Sequence, residues 1–499
     1  MSASYQPAEI LADAGVSDSP SHWVDGRSWV PEKTSRVDVE DPATGRVFAA
    51  VAAGGPDEVD FAAVAAHAAY HNVWAPMPPA RRGALLQLLA GRLLDEQEPI
   101  ARLESLDTGK PLSQARGDVA VAARYFAYFG EAADKLSGET FWAERADLSY
   151  TVREPYGVVA QIIPWNSPIT QLARGVAPAL AAGNTVVVKP SELAPISPLV
   201  LGRLIREVGI PDGVYNVITG LGDIAGAALT AHPLVRQITF TGSVQTGKRV
   251  LASSAEHLAH CTLELGGKSP TLVFDDADVP AAARAAAAAL IRNAGQSCSA
   301  TTRILVHESV HDQLLDAVIT RVSGLKLGPG LTDPDLGPLV SERQLNRVLQ
   351  LIGTATAEGA RIVVGGGRAE GEGIVDGYFC EPTVLVDVTN DMTVARQEIF
   401  GPVQSVLRFS DEEEALAMAN DSAYGLSSAV FTRDFARAHR LARLLQSGQV
   451  HINEYPLDSV ETPFGGYKES GIGREKGLQA LAGYTQLKTV LARVAAASD

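Results

Sequence analysis

The chain has 499 residues, 46% of them hydrophobic, which is enough for two or three domains with sizeable cores and excludes a tail or a fibre. Its 58 acidic residues against 42 Lys plus Arg leave a net charge of −16, which argues against non-specific binding to nucleic acid or anionic membrane, because both rely on a basic surface. Small molecules are the expected partners.

At the N-terminus, MSASYQPAEILADAGVSDSP carries no basic stretch followed by an apolar core, and no apolar run in the chain approaches the roughly 20 residues that span a bilayer. A soluble, cytoplasmic protein is expected. Residues 56–135 read as mainly helical, with stretches such as RRGALLQLLAGRLLDEQ. Residues 137–154, SGETFWAERADLSYTVRE, alternate like two strands around a turn, and the late segment YTQLKTVLARV is a further isolated strand. Two-stranded ribbons are marginal alone, so these pieces are expected to pair with each other or with another subunit.

From about residue 155 onward short apolar runs alternate with helical stretches, the pattern of parallel βαβ units. GVVAQIIPW, NTVVVKPS, GVYNVITG, VRQITFTGS and HCTLELGG read as the strands of one doubly wound sheet, with helices such as SPLVLGRLIREVG between them. A second series, PTLVFDD, RILVHES, RIVVGG, CEPTVLVDV, VQSVLRF and QVHIN, implies a second α/β domain over about 270–465.

Several strand ends carry residues with chemical potential. PWNSP holds Asn166 between two prolines, where a fixed carboxamide either donates to a developing oxyanion or satisfies a turn. KPSE places Lys189 and Glu192 where ligands gather in doubly wound sheets, as ribose ligands or as an ordinary ion pair. FTGS, with Phe240, Gly242 and Ser243, opens a helix whose N-terminus suits phosphate, although strand-to-helix turns use glycine anyway. Neither it nor GLGDIAG at 220–226 has GxGxxG spacing. Glu264, in ELGGKSP, is a candidate general base if burial raises its pKa, or a loop anchor. Cys298, in AGQSCSA, is a nucleophile or a small packed filler. Cys261, Cys298 and Cys380 are odd in number and far apart, which fits a reducing compartment. His257-Leu-Ala-His260-Cys261 lacks a partner cluster, so no metal is expected.

Taken together, PWNSP, KPSE, FTGS, ELGGKSP, GQSC, EIFGPV at 398–403 and PFGGYKESGIGRE at 463–475 stand in the order and approximate spacing of the aldehyde dehydrogenase superfamily. The resemblance runs from DPATG at 41, through DTGKP at 107, to the terminal YTQLKTV. It implies an α/β fold: two doubly wound domains, a Rossmann-like cofactor domain over 1–135 and 155–266 and a catalytic domain over 267–465, plus a small β oligomerisation element from 136–154 and 466–499. A homodimer or homotetramer is implied by that element.

The resemblance also implies roles. Cys298 attacks the aldehyde carbonyl, with Ser297, Ser299 and Ala300 leaving room around it. Asn166 and the Cys298 backbone N–H stabilise the oxyanion, and Glu264 activates water to hydrolyse the thioester. Lys189 and Glu192 hold the adenosine ribose, Trp165 and Ser243 flank the pyrophosphate, Glu398 holds the nicotinamide ribose and Phe400 packs nearby. Glu192 accepts bonds from both ribose hydroxyls but repels a 2′-phosphate, so NAD is expected over NADP. Two positions depart from the family pattern: Ser167 stands where relatives often carry phenylalanine, and Arg174-Gly175 replaces a tryptophan-lysine pair whose lysine is thought to relay protons. Ser167, Thr170, Arg174 and Ser297 are expected to line a wide, polar substrate tunnel. The competing readings are a CoA-acylating relative, a non-catalytic cofactor-binding relative, and a thiol esterase.

Overall fold

The computed structural model describes residues 5–31, 34–371, 374, 376–457 and 459–493. The outermost residues of the expected domains, 1–4 and 494–499, lie outside that set. Among the described residues no helix is long and apolar enough to cross a membrane.

Five parallel strands form the centre of the first sheet: β1 (Val158–Ile163), β2 (Thr185–Pro190), β3 (Tyr215–Val217), β4 (Val235–Thr241) and β5 (His260–Glu264). Their order is β3-β2-β1-β4-β5. Chain order therefore runs outward in both directions from the gap between β1 and β4, and ligands of open α/β sheets bind at the carboxyl ends of the strands flanking such a switch. The residues just past those two ends are Pro164–Asn166 and Gly242–Ser243. Strands β1 to β3 are almost wholly buried, as their continuous apolar runs require of a sheet covered on both faces. The helix Pro168–Ala181 follows β1 and is buried along nearly its whole length.

The second sheet has β6 (Pro270–Val273), β7 (Arg303–His307), β8 (Arg361–Val364), β9 (Thr383–Val386), β10 (Val403–Phe409), β11 (Ser427–Phe431) and β12 (Gln449–Ile452), in the order β8-β9-β10-β7-β6-β11-β12. Only β8 is antiparallel to its neighbour. The strand β11, absent from the expected series, pairs with β6 and β12 near one side of the sheet.

Three features differ from the sequence expectation. Two N-terminal hairpins, His22–Val24 with Arg27–Trp29 and Arg36–Asp41 with Arg46–Ala52, precede the helices, the first adding antiparallel strands beside β3. Residues 137–154 supply one long strand, Leu148–Pro155, with only a single bridge from Thr140 to Tyr150 opposite it. That strand pairs antiparallel with Thr485–Ala492 over eight residue pairs, Thr485 opposite Pro155 through Ala492 opposite Leu148. Of the segment from 466 onward, only this last strand belongs to the ribbon: Gly471–Ile472 adds to the edge of the first sheet beside β5, and Tyr467–Lys468 pairs with Tyr424–Gly425.

Candidate active site

Cys298 lies between the helix Val279–Ile291 and β7. The chain reaches it through three successive left-handed residues, Asn293, Ala294 and Gly295, with φ of 49, 52 and 71°. Glycine is required at the third, because a Cβ there would stand 2.1 Å from the Gly401 carbonyl oxygen. The Asn293 backbone N–H donates to Gln114 Oε1 at 2.8 Å, and its side-chain amide donates to the Asn166 carbonyl at 2.8 Å. Gln296 is buried; its Oε1 accepts from the Val340 N–H at 3.0 Å and its carbonyl accepts from Asn166 Nδ2 at 3.0 Å. The Gly-Gln preceding Ser-Cys thus bolts the cysteine loop to the end of β1. The paired glycines after Glu264 serve the same loop: a Cβ on Gly267 would lie 2.4 Å from the Cys298 carbonyl oxygen, and one on Gly266 would lie 2.3 Å from Glu398 Oε2.

Cys298 is half-buried where two cavities meet. One, of about 870 Å³, is lined by Asn166, Ser167, Thr170, Arg174, Ser297 and Cys298, together with Asp118, Tyr125, Phe464 and Lys476. The other, of about 740 Å³, is lined by Trp165, Asn166, Gly242, Ser243, Glu264, Cys298, Glu398 and Phe400. Cys298 and Asn166 belong to both walls. All four expected tunnel residues therefore face one cavity, and most expected cofactor residues face the other.

The polar wall of the first cavity has a specific origin. Ser167 precedes the helix Pro168–Ala181, but its hydroxyl does not cap that helix. It accepts a hydrogen bond from Lys110 Nζ at 3.2 Å, and the same ammonium is paired with Asp118. The helix N-terminus is served instead by the buried Glu104, whose Oε1 accepts from the Ile169 N–H at 3.2 Å. A serine hydroxyl that accepts from an ammonium keeps its own proton free to donate into the cavity.

The second cavity sits at the switch point between β1 and β4. Trp165 and Phe400 meet edge-to-face, 5.2 Å between centroids, and form an aromatic wall. Phe400 has a φ of 58°, and Gln344 Nε2 holds its carbonyl at 2.8 Å. Glu398 accepts from the Gly267 N–H at 3.0 Å, and burial pushes its carboxyl up to about 7. Ser243 caps the helix Val244–Ala255 by accepting from the Thr246 N–H at 3.2 Å, leaving the first N–H groups of that helix to face an anion. Phe240 does not reach this cavity: it is buried in the core, and Gly242 is needed because a Cβ would stand 2.6 Å from its ring. Lys189 and Glu192 stand together at the end of β2, 3.2 Å apart, outside the cavity walls but beside the turn Gly222–Gly226, whose Gly222 Cβ position lies 3.8 Å from Lys189 Nζ. A helix N-terminus for a pyrophosphate, an ammonium–carboxylate pair for ribose hydroxyls and an aromatic wall beside a thiol form a donor set that fits a dinucleotide.

Glu264, at the end of β5, is buried and neither carboxylate oxygen has a protein hydrogen-bond partner. Burial first and the neighbouring Glu475 second push its carboxyl well above the usual range, with Arg174 opposing both. Burial likewise pushes the Cys298 thiol up to about 11, against the opposing field of Arg174. Glu475 was not singled out from the sequence, where GIGREKG looks like a charged surface turn; its backbone bridge to Phe464 carries it inside.

Two parallel α/β sheets with a cysteine between a polar tunnel and a dinucleotide-shaped cleft define a cofactor-dependent oxidoreductase architecture. The Aldehyde dehydrogenase family model matches residues 29–490, and the chain belongs to that family. It is 45% identical to a betaine aldehyde dehydrogenase of Brucella anthropi over 473 residues, 94% of this chain and 96% of that one. Among solved structures, betaine aldehyde dehydrogenase from Staphylococcus aureus in complex with NAD+ superposes with a TM-score of 0.95 at 38% identity, covering 98% of both chains. An aldehyde dehydrogenase from Bacillus cereus gives 0.94 at 39% identity, covering 97% of this chain and 98% of that one.

The glycine contacts predict that Gly267→Ala will displace the Cys298 loop by several tenths of an ångström or more. Misplacement on that scale costs up to about 100-fold in rate. Activity should therefore fall at least about tenfold while thermal unfolding moves only a few degrees; kcat and melting temperature measured side by side check this.

Proposed function

We propose that this aldehyde dehydrogenase oxidises a polar aldehyde to the carboxylic acid with NAD, through an acyl intermediate on Cys298. The observation that carries the reading is the placement of one thiol on the shared wall of the substrate tunnel and the cofactor cleft. The Cys298 thiolate adds to the aldehyde carbon, forming a C–S bond and an oxyanion. Asn166 Nδ2 has one N–H committed to the Gln296 carbonyl, which fixes the amide, and the other is available to the oxyanion beside the Cys298 backbone N–H. Bound NAD supplies the hydride acceptor, and loss of hydride from the thiohemiacetal carbon leaves a thioester. Glu264 then takes a proton from water, the hydroxide adds to the thioester, and the C–S bond breaks to release the acid and the thiolate. Trp165, Phe400, Glu398, Ser243, Lys189 and Glu192 orient the dinucleotide, with Glu192 favouring an unphosphorylated ribose.

A buried carboxyl close to the thiol favours water over CoA as the acceptor. The Ser167 hydroxyl, oriented by Lys110, favours an aldehyde whose chain carries a hydrogen-bond acceptor or needs the width that a phenylalanine would fill. Betaine aldehyde, the substrate in the relatives' names, is a small cationic aldehyde whose trimethylammonium group would use the width rather than the Ser167 hydrogen bond; it heads the panel, with hydroxy- and carboxy-aldehydes of similar length and simple alkyl aldehydes beside it. NADH formation is expected without CoA and should disappear in Cys298→Ala; turnover that depends on CoA, or survives that substitution, overturns the reading. Ser167→Phe should lower kcat/KM for the polar or bulky aldehydes about tenfold or more relative to a short alkyl aldehyde. An unchanged ranking means that Ser167 does not set substrate choice.

A second element of the proposal concerns assembly and location. The ribbon of Leu148–Pro155 with Thr485–Ala492 leaves Leu487 and Leu491 exposed, and Trp142 nearby is fully exposed. Two-stranded ribbons seldom stand alone, so this one joins another subunit in a homodimer or tetramer in the cytoplasm. Light scattering should give a mass of at least two chains, and Leu487→Glu should reduce it.

A further inference from the structure

Arg174 lies on the inner face of the helix Pro168–Ala181 and is 5% exposed. Its Nε is paired with Glu475, its Nη2 donates to Thr241 Oγ1 at 3.2 Å, and its guanidinium carbon lies 5.2 Å from the Phe464 ring centre. Glu475 is tied by its backbone to Phe464, donating to the Phe464 carbonyl at 2.8 Å and accepting from its N–H at 2.7 Å. The next residue, Gly465, is where Glu264 arrives: a Cβ there would stand 2.9 Å from Glu264 Oε1. One short segment, Phe464–Gly465, therefore has Arg174 over its ring, Glu475 bridged to its backbone and the Glu264 carboxylate against its glycine.

Position 175 contributes no charge to this group. A Cβ on Gly175 would lie 2.1 Å from Gln161 Nε2, so the buried Gln161 side chain occupies the space a longer residue would need. The helix's cation in this cluster comes from one residue earlier, and Lys476 stands as a second cation 4.8 Å from the centre of the same Phe464 ring.

We propose that Arg174 is a positioning residue for proton transfer rather than a substrate-reading residue: as the counter-ion of Glu475, it sets the charge available to Glu264 and Cys298. The inference rests on the Cys298–Glu264 reading above. Its physical basis is that a buried carboxylate stays ionised only beside a partner, and that removing one partner leaves the other charge uncompensated. Burial raises the carboxyls of Glu264 and Glu475, and Arg174 opposes both shifts. It is also the largest opposing influence on the thiol of Cys298. The other charged and titratable groups facing this cluster are Lys476 and Arg474 from the same terminal segment, Glu398 beside the thiol, and Tyr125 and Tyr484 beside Arg174 and Glu475.

The sign follows. Losing the guanidinium raises all three groups, so their base forms appear at higher pH and the activity profile moves to the alkaline side. The experiment uses the full chain. Iodoacetamide alkylation of Cys298, read on its own peptide, and kcat are each followed against pH for Arg174→Gln, Arg174→Lys and Glu475→Gln. For Arg174→Gln both profiles should move up by about one pH unit, with kcat at neutral pH down about tenfold and partly recovered in alkali, and KM within about threefold. Arg174→Lys, which keeps the charge, should recover most of the profile. Glu475→Gln removes the charge that, after burial, most raises Glu264, and should move the kcat profile to lower pH; this opposite shift stands even if Arg174→Gln fails to fold. The proposal is overturned if Arg174→Gln changes KM and the aldehyde ranking while both pH profiles stay in place, or if Glu475→Gln leaves the kcat profile unmoved. Activity surviving in Cys298→Ala would instead remove the underlying reading, whatever Arg174 does.

Discussion

The left-handed turn at Asn293, Ala294 and Gly295 is the constraint on which the site depends. Two of its residues carry side chains in a conformation that costs about 1–3 kcal/mol each, so the turn persists only because its surroundings over-determine it. Gln114 holds its first N–H, the Asn293 amide holds the end of β1, and Gln296 is held by Val340 and by Asn166. These bonds join a residue after the first sheet's central strand to a loop that leads into the second sheet. The thiol is thereby fixed between the two sheets, and the amide that fixes it is the same one proposed to meet the oxyanion.

Dryness is the second organising condition. Cys298, Glu264 and Glu398 are all pushed toward their neutral forms by burial, in the direction opposite to the one that a thiolate nucleophile and a carboxylate base require. Surroundings of low polarity also strengthen every charge placed nearby, which is the physical ground for the influence proposed for Arg174. The pairing of Arg174 with Glu475, and of Lys110 with Asp118, neutralises charge in the tunnel wall, where Arg174 and Asp118 stand among serines and the Asn166 amide.

Much of the fold was legible in the sequence because parallel strands buried on both faces must be continuous apolar runs, and β1, β2, β4, β7 and β10 are of that kind. The strand β11 escaped because SSAVF opens with two serines; they are buried, and the Ser428 hydroxyl finds Ser447 at 2.7 Å, a contact that no local pattern announces. The first arm of the 137–154 hairpin read as a strand from its alternation, yet only Thr140 pairs. Within the site, motif order singled out Cys298, Glu264 and Asn166, which the structure brings together around two adjoining cavities, but it could not separate Phe240, which is buried in the core, from Gly242 and Ser243 in the same turn. Arg174 does line the tunnel cavity, but its ion pair could not be read from the sequence because Glu475, its partner, lies 301 positions away. Lys110 and Ser167 were hidden from each other for the same reason: the hydrogen bond spans 57 positions.

The central claim is that Cys298 carries the substrate as a thioester which Glu264 clears with water. Glu264→Gln protein mixed with NAD and a substrate aldehyde, quenched in acid and analysed by peptide mass, tests it most directly. The account predicts an acyl adduct on the Cys298 peptide and NADH released in about the same amount as enzyme, since hydride loss proceeds and hydrolysis stalls. Steady turnover with no adduct, or an adduct at Cys261 or Cys380, would contradict it.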